Sequence, residues 1–179
     1  TGTAALTVSG GTATLSQANN YSGATTVSGG TLNLNAANAI QSNTITVSSG
    51  NLNGNTTNGL GTLVALNLTG GITTLSAANV TSSASTTLST GTLDVGNDNA
   101  LLGRTLAITS TGTLRATGGP ITLANNITLT NTNAATIAGT QNLTLNGNVT
   151  TSGGTRLLNI NNTGVTTFGG NICLLYTSP

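Results

Sequence analysis

Apolar residues recur along this chain in two superposed rhythms. Over short stretches such as TITV, TLNL, NLTL and ITL every second residue is apolar. That is the period of a strand, whose successive side chains point to opposite faces. Such stretches end on a Ser/Thr/Gly turn, and the apolar residue before that turn returns at a near-constant interval. It is Val8, Val27, Val47, Leu68, Leu88 and Ile108, at spacings of 19, 20, 21, 20 and 20 residues, and Leu129 continues at 21. Five of the turns lead into a second short strand carrying Leu32, Leu52, Ile72, Leu93 or Leu114. The dipeptides between strands are Gly-Gly, Ser-Gly or rich in Asn, which take left-handed turn conformations at little cost.

A longer echo lies on top. Residues 6–52 align with 66–114 at an offset of 60 that grows to 62, or three units of about twenty. GGTATLSQAN matches GGITTLSAAN, and GGTLNLNAANAI matches TGTLDVGNDNAL. After Leu129 the register loosens through NLTLNGNV, RLLNINN and GVTTFGG. Helix is disfavoured by 25 glycines, abundant Thr and Asn, and the lack of an apolar stripe at three- and four-residue spacing. Sandwich strands recur every 8–12 residues and propeller blades need about 40. A period near 20 predicts an all-β parallel β-helix, one coil per period. Its coils would stack about 4.8 Å apart. Val8, Val27, Val47, Leu68, Leu88 and Ile108 would then form one interior ladder. Asn19 and Asn79, three coils apart, are expected to hydrogen-bond along the stack. Threonines would face outward, and open end coils would make the isolated chain marginal or sticky.

Composition narrows the functions. Charged residues are 3% of 179, against roughly 25% in a typical globular protein. They are Asp94, Asp98, Arg104, Arg115 and Arg156, with no Lys, Glu or His. A net charge of +1 and three aromatics offer neither a phosphate-binding patch nor a stacking platform, so nucleic acid is not an expected partner. No apolar run reaches the roughly 20 residues of a membrane-spanning helix. Glycoside hydrolysis normally needs two carboxylates about 5–10 Å apart. Asp94 and Asp98, in DVGNDNA, read instead as turn residues. Without His or Lys no serine has an ordinary side-chain base, and zinc and EF-hand patterns are absent. No catalytic, cofactor or metal residue is therefore assigned. The three arginines read as solvated, a glycan carboxylate or sulfate being the alternative, and Tyr21 as packing at a corner. Sequons such as Asn67, Asn79 and Asn126 are expected from composition alone.

The last seven residues, CLLYTSP, break the pattern and hold the only cysteine, Cys173. They match the translation of a transposon end used in sequencing-library preparation. The reading is therefore a β-helix fragment over 1–172, with repeat copies at about 6–52 and 66–114, looser coils over 115–172, and a foreign tail at 173–179. The start at TGTAALTVSGG, without Met and already strand-like, suggests a piece of a longer protein.

Residues 10–34, GGTATLSQANNYSGATTVSGGTLNL, resemble the autotransporter-associated β-strand repeat, also called the passenger-associated transport repeat. Its usual form is close to G-x-L-T-L-S-G-x-N-T-Y-S-G-x-T-T-V-x-x-G-T-L-x-L. The matching positions are Leu15, Ser16, Asn19, Tyr21, Ser22, Gly23, Thr25, Thr26, Val27, Gly30, Thr31 and Leu32. A degenerate copy covers 70–95, where Val80 and Thr81 replace the Asn-Tyr pair and Ser83 replaces a glycine. The resemblance implies a right-handed parallel β-helix, exported by a type V route and displayed at a Gram-negative surface or secreted. It implies a translocator barrel outside this chain as partner, and no catalytic residue.

The function expected on these grounds is a non-enzymatic stalk or spacer within a β-helical passenger, with adhesion to a host surface or glycan as an added role. One rival is a non-catalytic part of a carbohydrate-active β-helix enzyme. Another is an ice- or crystal-binding solenoid, suggested by Thr12/Thr14, Thr44/Thr46 and Thr128/Thr130. Those pairs do not occupy a constant place in every coil, so a flat threonine array is not expected.

Overall fold

A computed structural model describes residues 2–61, 65–79, 84–130, 134–152 and 155–174. Sixteen strands and no helix occur among them. They are β1 (Leu6–Leu15), β2 (Thr25–Leu34), β3 (Thr44–Val47), β4 (Asn51–Gly54), β5 (Ala65–Leu75), β6 (Ser85–Val95), β7 (Thr105–Ile108) and β8 (Thr113–Ala116). Then follow β9 (Ile121–Leu123), β10 (Ile127–Leu129), β11 (Ala135–Gly139), β12 (Leu143–Leu145), β13 (Val149–Thr151), β14 (Leu158–Asn162), β15 (Thr166–Phe168) and β16 (Ile172–Leu174). Every strand pairing is parallel and joins one coil to the next, giving a β-solenoid of about seven coils.

Three columns of strands make its sides. The first runs β1-β2-β3-β5-β6-β7-β10-β13-β16. The second takes the C-terminal halves of β1, β2, β5 and β6 together with β4, β8, β11 and β14. The third, β9-β12-β15, exists only in the later coils. The paired registers explain why. Leu6, Thr25, Ile45, Leu66, Thr86, Leu106, Ile127, Val149 and Ile172 occupy equivalent places, at intervals of 19, 20, 21, 20, 20, 21, 22 and 23 residues. Longer coils accommodate a third strand. In the earlier coils that side is a stack of asparagine turns. Asn19 N donates to Asn38 O, Asn38 N to Asn58 O and Asn58 N to Ala78 O, at 3.1, 2.8 and 2.8 Å. Asn38 and Asn58 take positive φ, 53° and 58°, a conformation Asn tolerates better than most side chains.

The core is a set of ladders inside the coil. Val8, Val27, Val47, Leu68, Leu88, Ile108 and Leu129 lie opposite one another in successive coils, all buried, and Thr151 follows. Burying each such aliphatic side chain stabilises by about 1.5–3 kcal/mol. The second column carries Ala13, Leu32, Leu52, Thr73, Leu93, Leu114, Ile137 and Ile160. Here the expected Ile72 is displaced by Thr73. Ile72 pairs with Asn51 and is 40% exposed, whereas Thr73 takes the ladder place at 1%. In a strand, a slip of one residue reverses the face. From Val8 to Leu88 the inward residue of the first column is followed five positions later by that of the second, and Ile72 lies only four after Leu68.

A glycine column marks the bend between the two columns. At Gly50 (φ 71°) an added Cβ would lie 2.4 Å from Gly30 O, and at Gly71 (φ 64°) 2.3 Å from Gly50 O. A side chain there is excluded twice, by backbone conformation and by the coil beneath.

Candidate functional site

The repeat motif of residues 10–34 resolves into structural roles. Val27 and Leu32 are fully buried ladder residues, and Leu15 packs against the same core. Thr25 is also inward and fully buried, so its hydroxyl needs partners. Tyr21 Oη and Ser42 Oγ each lie 2.8 Å from Thr25 Oγ1, and the motif's tyrosine thereby serves a buried threonine at a corner. Asn19 Nδ2 donates to Ala39 O in the next coil and to Gln17 O, both at 2.9 Å. Ser22 donates to Gly2 O through its backbone N at 3.0 Å and its hydroxyl at 3.3 Å. A Cβ on Gly23 would lie 2.2 Å from Ala4 O. Gly30 occupies the positive-φ bend. Thr26 and Thr31 pair with Thr7 and Thr12 on outward positions, and Ser16 is exposed.

The second copy differs. Asn79 is buried, accepts from Leu60 N at 3.3 Å and donates to Ala77 O at 3.2 Å. Asn19 and Asn79 thus both bond to backbone rather than to another asparagine. Side-chain ladders form elsewhere, Asn53 Nδ2 donating to Asn33 Oδ1 at 2.8 Å and Asn55 Nδ2 to Asn35 Oδ1 at 3.0 Å. The substitutions at Val80, Thr81 and Ser83 lie outside the described residues.

The charged residues correct the sequence reading. Asp94 is not in a turn but inside β6, directly opposite Arg115 of β8. Arg115 Nε donates to Asp94 Oδ1 at 2.7 Å and Nη2 to Oδ2 at 2.8 Å, a bidentate pair. The hydrogen bond from Asp94 raises the Arg115 pKa above its ordinary value, opposed by burial and helped by the carboxylate charge. Both Asp94 oxygens are therefore engaged. Asp98 does sit in a turn, where Oδ1 accepts from Thr122 N at 2.7 Å. Arg104 is not solvated: it is 3% exposed, and burial pushes its guanidinium below the ordinary value. Arg156 is part-buried and donates to Ser152 O. Cys173 is exposed in β16, opposite Thr150, and residues 175–179 lie outside the described residues.

The outer face of the first column carries a feature the strict Thr-x-Thr search missed. Thr7, Thr26, Thr46, Asn67, Thr87, Ala107, Thr128 and Thr150 are opposite one another in eight successive strands. Six threonines thus stand at a constant place. The Thr-x-Thr pairs themselves keep no constant place, as expected, because Asn67 and Ala107 interrupt the file and the position two residues on is Ser more often than Thr. Thr12 and Thr14 belong to the second column instead.

Sequence reasoning also passed over Ile40, Leu60 and Leu101, fully buried on the asparagine side. Their signal was the recurrence of NAI, NGL and NAL after the second strand. Among the described residues no group of three or more His, Cys, Asp or Glu could hold a metal, and no helix is long and apolar enough to cross a membrane. Comparison with protein-family models, curated proteins and solved structures finds no match.

Proposed function

We propose that this chain is a structural spacer of an autotransporter-like β-helical passenger, displayed at the surface of a Gram-negative cell or secreted from it, with adhesion to a host surface or glycan as an added role. The observation that carries the reading is the repeat motif of residues 10–34, supported by the structural part played by each motif side chain. Asn19, Ser22 and Gly23 are consumed in joining coils, and Tyr21 in serving the buried Thr25 at a corner of its own coil. A segment built this way holds its two ends apart at about 4.8 Å per coil. Fusion of residues 1–172 to a translocator barrel tests export. The expected result is a protease-accessible chain on intact cells, and retention in the periplasm would sink the proposal.

A second reading has an observation of its own. The outward file from Thr7 to Thr150 repeats hydroxyl groups at the coil spacing without a charge among them, which favours binding to an ordered solid such as ice. Thermal hysteresis that falls when Thr46 and Thr87 are replaced by Lys would establish it. A chain without measurable hysteresis removes it.

A further inference from the structure

The two cross-sections of the coil meet at one corner. As far as Asp98 the segment after the second column is a turn, and from Ile121 a third strand takes its place. Just beyond that change β8 pairs with β11, residues 113–115 opposite 136–138, so the segments that leave these strands lie one above the other. Between those segments opens a recess of about 390 Å³, walled by Arg115, Thr117, Gly118, Gly139, Thr140 and Gln141. Its volume lies within the roughly 300–1,000 Å³ of small-molecule sites. β6 pairs with β8 on one side and β14 with β11 on the other, so the recess belongs to the middle of the stack. A Cβ on Gly118 (φ 75°) would meet nothing within 4 Å, and bare backbone forms that wall.

The chemistry of the recess centres on Arg115. A guanidinium carries five N–H donors in a planar fork. Nε and Nη2 each give one to Asp94. Of the three that remain, one on Nη1 and one on Nη2 run parallel along the outer edge of the fork, the geometry that a second carboxylate accepts. The pair is also polarised outward. Asp94 is 9% exposed and Arg115 37%, so the cation is the end that meets solvent. Asp98, the other carboxylate, accepts from Thr122 N and does not line the recess. The Thr117 and Thr140 hydroxyls and the Gln141 amide, which can donate and accept, have no side-chain hydrogen bond among the described residues. No aromatic ring lines the recess, so a flat aromatic ligand has no stacking platform. One carboxylate and several hydroxyls are what these groups match. We propose that the recess binds a uronic-acid residue of an acidic glycan, its carboxylate on the outer edge of Arg115 and its hydroxyls on Thr117, Thr140 and Gln141. This gives the glycan adhesion put forward above a site and a ligand class, and it rests on that reading.

Titration of the full chain with trigalacturonate, followed by amide NMR shifts, tests the site. Saturable shifts should appear at Gly118, Thr140 and Gln141. Arg115→Lys keeps the charge but loses the fork, and should weaken binding about tenfold or more. Thr140→Asp leaves the Asp94–Arg115 pair untouched, puts a carboxylate into the recess and should abolish binding, so the test stands even if the arginine variant loses its fold. The methyl-esterified trisaccharide and acetate should each bind about tenfold more weakly or worse. Absence of shifts at millimolar trigalacturonate overturns the inference. So does equal binding of the ester, the mark of a neutral-sugar site, or of acetate, the mark of a bare anion site. A Thr140→Asp chain that binds unchanged overturns it as well. Export is read separately in the barrel fusion, so a chain that reaches the surface without binding trigalacturonate removes this site and leaves the spacer reading standing.

Discussion

At the scale of single residues, buried hydroxyls separate good positions from poor ones. Thr25, Thr73 and Thr86 all face inward and are almost fully buried. Thr25 is served by Tyr21 and Ser42, whereas the Thr73 and Thr86 hydroxyls have no hydrogen-bond partner among the described residues. A buried hydroxyl left unpaired costs about 1–3 kcal/mol, while a paired one contributes about 1 kcal/mol net. Thr73→Val should therefore raise the urea midpoint, by about 1 kcal/mol of stability. Tyr21→Phe should lower it by about the same amount. The opposite signs matter: both substitutions make the chain more apolar, and hydrophobicity alone would move them together. The Gly50 position is different in kind. Gly50→Ala forces a Cβ into a left-handed conformation and onto Gly30 O, a loss on the order of 2 kcal/mol or more that urea titration would register.

At the scale of elements, adjacent strands are joined on their outer faces by polar ladders that end in the Asp94–Arg115 pair. The series Thr14, Asn33, Asn53, Thr74, Asp94 and Arg115 runs in register across six strands. Arg115→Met leaves the Asp94 carboxylate, 9% exposed, without its partner, but the Arg115 side chain is itself 37% exposed. The expected loss is about 1–2 kcal/mol, below the 3–5 kcal/mol of deeply buried pairs because solvent screens this one. The pH dependence follows from the raised Arg115 pKa. A cation whose pKa rises on folding contributes stability that is complete below its unfolded pKa and disappears as pH climbs through the folded value. Both lie far above neutrality for a guanidinium. The difference between Arg115→Met and the unsubstituted chain should thus stay constant across the neutral range, and a drift there would contradict the assignment.

At the scale of the whole molecule, each coil touches only its neighbours, so stability is close to a sum of coil and interface contributions. The asparagine-cornered coils near the start and the three-sided coils near the end are two cross-sections sharing one pair of columns. Growth in coil length from 19 to 23 residues joins them without breaking the first column.

Much of this was legible beforehand because a solenoid converts sequence period directly into neighbours in space. The interval near 20, the alternation within each stretch and the turn glycines were enough to define an all-β coil and the ladder from Val8 to Ile108. What the linear pattern left open depended on facing partners. Ile72 and Thr73 have similar sequence claims to the core, and pairing with Asn51 and Leu52 decides between them. Asp94 resembles a turn residue until β8 brings Arg115 opposite it. Arg104 resembles a surface cation, and only the packed coils bury it. The sequence by itself determined the repeat, because period and turn chemistry are local. The tertiary structure decided register and ion pairing, because each depends on a coil about twenty residues away.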